Sequence, residues 1–361
     1  LNLGNQPPAN SIYKENNPHP NPVPLRLMFC HKCHTVQLGE TVDPSYLFDK
    51  YVWVTGTSKV AKEHSELFFN EIINKTKKKN PFVIEIASND GTFLNVFKEN
   101  NCKILGVDPA KNIADVATSM GIPTLPLFFN KEVAIDLVKT NGYPDVVFAR
   151  NVIPHVKEIH SVVEGISKLI NQEGIGAIEF HDAKIILQEL HYDSIYHEHL
   201  FYFSLKTISY LLNIYKLNVF DIAVSPISGG SWIIYFSKEI KEKSASLKDA
   251  LKNEQKLGVN DYVSWRHFGQ RAIKHSKNLS QIVNKYNQII AYGASARSAT
   301  LLNFCKINNK QVNYIIDKNI MKQGLIAPGS NIRIVSLTDA QKNFDNIDVL
   351  LLLAWNFENE I

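Results

Sequence analysis

The feature that most constrains the fold is a regular alternation of strand-like and helix-like segments between residues 82 and 180. Five short apolar segments are separated by longer segments in which apolar residues recur at helical spacing. Strands that alternate with helices predict a parallel sheet covered by helices on both faces. The predicted strands are residues 82–87, 103–108, 123–127, 145–149 and 174–180.

Two further strand-like segments, residues 217–224 and 228–237, follow without a helix between them. A short loop rich in Ser, Pro and Gly joins them, and strands joined by so short a loop pair antiparallel. Five parallel strands closed by an antiparallel hairpin form the arrangement of class I methyltransferases. The expected fold class is therefore α/β, with a class I, Rossmann-like sheet as its main unit.

The rest of the chain predicts two smaller units. A Pro- and Asn-rich lead-in precedes the C-x-x-C pair Cys30 and Cys33, and a second α/β unit begins after residue 288. We expect an N-terminal domain that carries this cysteine pair over residues 1–65, a domain with the class I sheet over 66–240 and a C-terminal Rossmann-like domain over 241–361. Because the last residues look like the start of another helix, we expect this last unit to be incomplete.

Composition limits the partners and the compartment. The net charge of +4 is spread along the chain, which gives little support to nucleic-acid binding. No apolar run reaches the length of a membrane span, and the first residues do not resemble a secretory signal. Four cysteines, of which only two are close together, do not form a disulfide framework. We expect a cytoplasmic protein, a monomer or weak dimer, that binds neither nucleic acid nor membranes.

The turn after the first predicted strand indicates a cofactor site. It contains Asn89, Asp90 and Gly91, and the glycine lets the backbone approach a ligand. Asp108 ends the second predicted strand, where a carboxylate can accept hydrogen bonds from both hydroxyls of a ribose. The turn lacks G-x-G-x-x-G, which counts against NAD. The pattern predicts a nucleoside-type cofactor, although a lone Asp at a strand end is often a helix cap.

The segment Tyr-His-Glu-His at 196–199 carries a candidate general base. An imidazole with an ordinary pKa of about 6.5 takes a proton near neutral pH, and Glu198 or a tyrosine could orient it. The alternative is an aromatic-rich turn whose polar groups only satisfy one another. Beside a methyl-donor site, a base indicates removal of a proton followed by methyl transfer to the resulting carbanion.

Several motifs, taken in order, resemble those of the three-domain sugar C-methyltransferases of deoxysugar biosynthesis. They are the C-x-x-C pair, VQLGETV, EIASNDG, GVDPA, RNVIPHV, YHEHLFYFSL and SGGSW, and they span nearly the whole chain. Members of this family combine a zinc-binding domain, a domain that binds S-adenosylmethionine (SAM) and a C-terminal Rossmann-like domain. The resemblance implies SAM as the cofactor and a nucleotide-linked ketodeoxysugar, methylated on a carbon next to its ketone, as the substrate.

The resemblance also implies roles for the matching residues. His199 corresponds to the general base that removes the proton alpha to the ketone, with Glu198 as its neighbour and Tyr196 as a polar site residue. Tyr51 corresponds to an aromatic residue of the substrate pocket. The residues implied to bind SAM are Ala87, Ser88, Asn89, Gly91, Asp108, Asn151 and Val152.

Two departures from the family pattern matter. The family's zinc domain uses two C-x-x-C pairs, whereas this chain begins at the segment that normally follows the first pair, which leaves Cys30 and Cys33. Two thiolates do not complete a tetrahedral site, so we expect this chain to hold zinc weakly or not at all. His31 and His34 are the other candidates, although they are more typical of surface residues. EFHDAK at 179–184 also differs from the family's EFPH, which leaves the sugar open.

The turn at 292–298 opens the second α/β unit and predicts a phosphate site. Backbone amides at the start of a helix favour a phosphate, and an arginine adds a charged contact. Ser295, Arg297 and Ser298 are therefore predicted to bind the diphosphate of a nucleotide-linked substrate. The alternatives are a tight strand–helix turn with a surface arginine, or an NAD site, against which the missing third glycine counts.

Three functions remain open. A C-methyltransferase predicts exchange of a substrate C–H proton with solvent. An O- or N-methyltransferase, in which His199 takes the proton of a hydroxyl or amine, predicts no such exchange. A non-catalytic protein that binds SAM or a nucleotide sugar predicts binding without turnover, and the intact His199 argues against it.

Overall fold

A computed structural model describes residues 1–43, 47, 55–227, 230–342, 344–358 and 361. The strands are β1 (Asn2–Gln6), β2 (Val23–Phe29), β3 (Val36–Leu38), β4 (Phe82–Ile86), β5 (Lys103–Val107), β6 (Thr124–Leu125), β7 (Val146–Arg150), β8 (Ile175–His181), β9 (Phe201–Tyr202), β10 (Asn218–Ser225), β11 (Ser231–Ser237), β12 (Ile289–Tyr292), β13 (Val312–Ile316), β14 (Ile334–Val335) and β15 (Val349–Leu352). The helices are α1 (Lys59–Thr76), α2 (Thr92–Glu99), α3 (Lys111–Ser119), α4 (Lys131–Asn141), α5 (Ile159–Leu169), α6 (Ala183–Glu189), α7 (Leu205–Ile214), α8 (Ala245–Lys256), α9 (Tyr262–Val283), α10 (Ala296–Phe304) and α11 (Leu337–Gln341). None of these helices is long and apolar enough to cross a membrane.

The central sheet has seven strands in the order β6-β5-β4-β7-β8-β11-β10. All of them run parallel except β11, which pairs antiparallel with both β8 and β10. Five parallel strands closed by an antiparallel hairpin are what the sequence predicts, so the expected fold class is confirmed. Every residue of β4 and of β8 is buried, as expected for parallel strands covered on both faces.

Side chains of β4 alternate between the two faces of this sheet. Ile84 and Ile86 face a core that α4, α5 and α7 complete, whereas Val83 packs with aromatic residues of α1 and α2. On that second face Phe68 and Phe93 meet at 5.8 Å between ring centroids. Because successive residues of a strand point to opposite faces, Glu85 lies on the same face as Val83.

The N-terminal sheet takes its fourth strand from the segment that carries the candidate base. Its order is β1-β2-β3-β9, with every neighbouring pair antiparallel. In β2, Leu25 and Leu27 are buried and Arg26 and Met28 are exposed, as expected for a sheet with one covered face. The chain immediately after His199 is therefore tied to the N-terminal domain.

The C-terminal sheet has four parallel strands in the order β14-β13-β12-β15. Its inner residues share one core with Leu25 of the N-terminal sheet and with Tyr192 and Ile195 of the segment before β9. All three units therefore meet around residues 186–202, where the candidate base lies.

Candidate active site

A cavity of about 1390 Å³ opens at the carboxyl ends of the central strands. Its walls come from the N-terminal lead-in, the loops after β4, β5 and β7, the segment before β9 and the loop after β12. Ligands of open parallel sheets bind at this edge. The volume exceeds the roughly 300–1,000 Å³ of pockets that hold one drug-sized ligand, so it has room for two ligands side by side.

Asp108 fixes the backbone of the loop after β4. Its Oδ2 accepts the Asn89 amide at 2.8 Å, and its Oδ1 accepts the Ala110 amide at 2.9 Å. Ala87 and Asn89 have φ values of 54° and 51°, in the left-handed region that residues other than glycine seldom adopt. Burial raises the pKa of Asp108, although both amides oppose the shift. The Asp108 carboxylate therefore takes the place of water as the hydrogen-bond acceptor of the Asn89 and Ala110 amides.

The sequence predicts seven cofactor-binding residues, and the structure brings five of them to the cavity wall. These five are Ala87, Asn89, Asp108, Asn151 and Val152. Ser88 and Gly91 are not among the lining residues. Gly91 has φ 76°, and a Cβ there would lie 2.6 Å from the Ile122 side chain, so both its conformation and its packing require glycine.

Buried charges hold Asn151 at the floor of the cavity. Its Nδ2 donates to Glu179 Oε1 at 2.8 Å, and its backbone amide donates to the Glu179 carbonyl at 2.8 Å. Beside it, Arg150 Nε donates to Glu85 Oε1 at 3.0 Å. Burial raises the pKa of Glu85 to about 8, against the attraction of Arg150. The cofactor loops therefore rest on a fixed network rather than on solvent-exposed side chains.

His199 is held by hydrogen bonds to both ring nitrogens. Nδ1 lies 3.0 Å from the Ser194 carbonyl, and Nε2 lies 2.7 Å from the Tyr196 hydroxyl. A carbonyl only accepts, so Nδ1 carries the proton and Nε2 of the neutral ring accepts from Tyr196. Burial, followed by the neighbouring His155 and His181, lowers the pKa of His199 well below its usual value. The ring is therefore neutral at physiological pH, with the unprotonated nitrogen at Nε2.

Glu198 is bound to the N-terminal lead-in rather than to the His199 ring. Its Oε1 accepts from Asn10 Nδ2 at 2.6 Å, and burial raises the pKa of this carboxyl group to about 7. Tyr196 and the Ser194 carbonyl thus orient the base, whereas Glu198 fixes the lead-in over the cavity. Tyr51, the other residue assigned to the substrate pocket, lies outside the described residues.

Sequence reasoning missed three residues of this cavity. His155 follows β7, and its ring centroid lies 4.7 Å from that of His199 in an edge-to-face contact. Burial lowers the pKa of His155 to about 4. Asn10 and the exposed aromatic Phe128 line other parts of the wall. The motif RNVIPHV contains His155 and offered a signal for it, because it continues the loop that carries Asn151.

The C-terminal unit contributes positive charge. Ser295 and Arg297 line the cavity, and Ser295 caps α10 by accepting the Ser298 amide at 3.2 Å. Ser298 itself is buried, donates its hydroxyl to the Ser295 carbonyl at 2.6 Å and is not among the lining residues. Lys322, also on the wall, donates to the Ala294 carbonyl at 2.8 Å. Two cations from this unit thus face the cavity.

The C-x-x-C pair lies in the turn between β2 and β3. Hydrogen bonds from the backbone of Cys33 and Lys32 lower the pKa of the Cys30 thiol. His34 Nδ1 bonds the Asn260 carbonyl at 3.1 Å instead of facing the thiols. Within the described ranges no cluster of three or more His, Cys, Asp or Glu side chains is placed to hold a metal. Two thiolates are half of a tetrahedral zinc site, so these residues do not by themselves fit a structural zinc ion.

Comparison with known proteins gives three family matches in chain order. A candidate zinc binding domain matches residues 1–48, a methyltransferase domain matches 57–220, and a C-methyltransferase C-terminal domain matches 226–361. The C-methyltransferase NovU of Streptomyces niveus is 28% identical over 345 residues, which cover 94% of this chain and 82% of that protein.

Among solved structures, magnesium protoporphyrin IX methyltransferase of Synechocystis PCC 6803 with bound SAM is similar at 10% identity and a TM-score of 0.39. The match covers 53% of this chain and 86% of that chain. A SAM-dependent methyltransferase of Aquifex aeolicus is similar at 13% identity and a TM-score of 0.36, over 55% of this chain and 94% of that chain.

The resemblance noted in the sequence is thus confirmed over nearly the whole chain. The strand order of the central sheet agrees with it. The chain is a SAM-dependent methyltransferase that resembles, over nearly its whole length, the C-methyltransferases that combine a zinc-binding-type domain, a class I methyltransferase domain and a C-terminal Rossmann-like domain.

Proposed function

We propose that this C-methyltransferase acts on a nucleotide-linked ketodeoxysugar, with His199 as the general base that removes the proton alpha to the ketone. The observation that carries the proposal is the shared cavity: the unprotonated Nε2 of His199, the loop held by Asp108 and the Arg297 guanidinium line one space. The loop held by Asp108 would bind the methyl donor, His199 would act as the base and Arg297 would bind an anion. This combination suits a substrate in which a sugar is joined to a diphosphate.

The protein's own groups account for the proton transfer. SAM, when bound, supplies an electrophilic methyl group. The Ser194 carbonyl keeps the proton of His199 on Nδ1, so Nε2 is the nitrogen that accepts the substrate proton. The Tyr196 hydroxyl, released from Nε2, donates to the enolate oxygen as it develops negative charge. The imidazolium then returns its proton to solvent, and Tyr196 returns to Nε2.

Charges at the other end of the cavity support the nucleotide-linked substrate. Ser295 and Arg297 stand at the start of α10, where backbone amides and a guanidinium attract a diphosphate. Lys322 lies on the same wall. We therefore assign the diphosphate to this end and the sugar to the space between Arg297 and His199.

The proposal predicts a selective loss of rate in His199→Asn. Positioned general bases contribute typically 10²–10⁴-fold, so kcat should fall by about that factor. SAM affinity should remain, because the hydrogen bonds of His199 are to Ser194 and Tyr196 in its own segment. The measurements are methyl transfer to nucleotide-linked ketosugars by mass spectrometry, SAM binding by calorimetry and deuterium exchange at the substrate carbon.

Each alternative gives a different result in the same assay. An O- or N-methyltransferase transfers a methyl group without any exchange of the substrate C–H. A non-catalytic protein binds both ligands and transfers none. A folded His199→Asn protein that exchanges the substrate proton at the wild-type rate would remove this residue from the mechanism.

The pH profile tests the protonation state of the base. A histidine with an ordinary pKa is half protonated at about pH 6.5. Burial, His155 and His181 lower the pKa of His199, so its neutral form persists to lower pH and is lost only as the pH falls through that lowered value. We expect kcat/KM, which reports the free enzyme, to stay level from pH 8 to below pH 6.5. Because burial raises the pKa of Glu198 to about 7, an acid limb centred at or above pH 6.5 contradicts this assignment if it persists in Glu198→Gln.

A further inference from the structure

His181 is a polar side chain at the cavity that the mechanism does not use. It is the last residue of β8, it is 9% exposed, and it lines the cavity. Neither Nδ1 nor Nε2 has a hydrogen-bond partner in the protein. A buried polar group without a partner costs free energy that an apolar residue of similar size avoids. We therefore expect a bound ligand to supply a hydrogen-bond partner for His181.

The protonation state of His181 restricts the chemistry of that partner. Burial, followed by the charges of Arg297 and His191, lowers the pKa of His181 well below its usual value. A neutral imidazole presents one donor and one acceptor. A hydroxyl group can pair with either nitrogen, because it can accept from the N–H or donate to the other nitrogen, whereas a carboxylate or phosphate oxygen pairs only with the N–H and an ammonium group only with the unprotonated nitrogen.

The surroundings place His181 beside the sugar rather than beside the nucleotide. The Arg297 guanidinium and the His199 ring both lie near enough to His181 for their protonation states to be coupled to its own. On its other side the ring of His191 stacks on it at 5.8 Å, and Trp355 packs against His191 at 4.3 Å. A substrate that extends from Arg297 to His199 therefore brings its sugar to the side of His181 that faces the cavity.

We propose that His181 hydrogen-bonds a ring hydroxyl of the sugar and selects substrates that retain this hydroxyl. The inference rests on the proposed function and adds a specificity determinant to it. A site that hydrogen-bonds a hydroxyl rejects the analogue without it, since the buried polar group is then left unpaired.

The test compares nucleotide-linked ketohexoses in pairs that differ only by one ring hydroxyl, with a different hydroxyl missing in each pair. The variants are His181→Leu, which removes the polar atoms, and His181→Gln, which keeps a donor and an acceptor. His267→Leu, at an exposed histidine of α9, is the matched control. The readouts are kcat/KM on each sugar, SAM affinity and the midpoint of thermal unfolding.

At the ring position that His181 contacts, wild-type protein should have a kcat/KM about 10–100-fold higher on the sugar with the hydroxyl than on the sugar without it. This is the range expected when a buried polar group loses its partner. His181→Leu should bring this ratio close to one through a lower kcat/KM on the hydroxylated sugar, and His181→Gln should retain part of it. SAM affinity should not change, and thermal stability should not fall, because no hydrogen bond within the protein is lost.

Two results overturn the inference alone. One is a ratio that is equal in wild type and His181→Leu for every hydroxyl. The other is a His181→Leu protein that unfolds at lower temperature and loses activity equally on both sugars of each pair, which identifies a packing residue. If wild-type protein methylates none of these sugars, the proposed function fails and this inference fails with it.

Discussion

The two α/β units hold the loop after their first strand in the same way. In the central unit, Asp108 at the end of β5 accepts the Asn89 amide at 2.8 Å and the amide two residues further along its own chain at 2.9 Å. In the C-terminal unit, Asp317 after β13 accepts the Ala294 amide at 2.8 Å and the Asn319 amide at 2.8 Å. A carboxylate at this place serves the loop in both units, so it does not by itself identify a cofactor.

The units differ in the charge they bring to the cavity. In the central unit the Asp108 carboxylate lines the cavity, and the Arg150 guanidinium on the same wall is paired with the buried Glu85 at 3.0 Å. The loops of the C-terminal unit present the cations Arg297 and Lys322. A carboxylate such as Asp108 suits the positively charged SAM, whereas the cations Arg297 and Lys322 suit a diphosphate.

The paths of the two loops differ as well. The central loop enters the left-handed region at Ala87, Asn89 and Gly91, whereas the C-terminal loop does so at Gly293 before α10 begins. A Cβ at Gly293 would lie 2.4 Å from the Ala354 side chain, so this glycine serves packing between loops. The same sheet edge thus supports different ligands, and the side chains decide which one binds.

The first test of this comparison removes Asp108. Asp108→Ala should lower SAM affinity by about 10–150-fold, since a hydrogen bond to a charged group contributes roughly 1.5–3 kcal/mol and the loop amide of Asn89 loses its partner. Calorimetric titration with SAM measures the loss. The matched control, Asp317→Ala, should keep wild-type SAM affinity. Equal losses in the two variants would show that the carboxylates are only structural.

Much of the fold could be predicted because its strands are continuous apolar segments between helices. The structure places β4, β5, β7 and β8 within one or two residues of the predicted ranges. Strand β9 was not predicted, because two residues of an aromatic segment become a strand only through pairing with Val36 and Gln37. That pairing depends on tertiary structure, which a local pattern does not encode.

The site was predictable where one segment carries the chemistry and less so where distant segments meet. Tyr196 and His199 are three residues apart and touch, as the motif suggests. Asn10 lies 188 residues from its partner Glu198, and only the folded chain brings them together. The unpartnered nitrogens of His181 are likewise a property of the packed structure, since the sequence shows only that a histidine is present.

The second test changes the cationic side of the comparison and should have the smaller effect. Arg297→Ala should weaken binding of a nucleoside diphosphate, assayed with UDP and with dTDP, by about 10-fold, because one charged contact of roughly 1.5 kcal/mol is lost while helix amides and Lys322 remain. Arg297→Lys should recover only part of the affinity, because an ammonium group lacks the planar fork that binds two oxygens at once. SAM affinity should stay at the wild-type value in both variants, which is the reverse of the result expected for Asp108→Ala. If Arg297→Ala instead weakens SAM and leaves both nucleotides unaffected, the assignment of the diphosphate to the C-terminal unit is wrong and the two crevices do not divide the substrates as proposed.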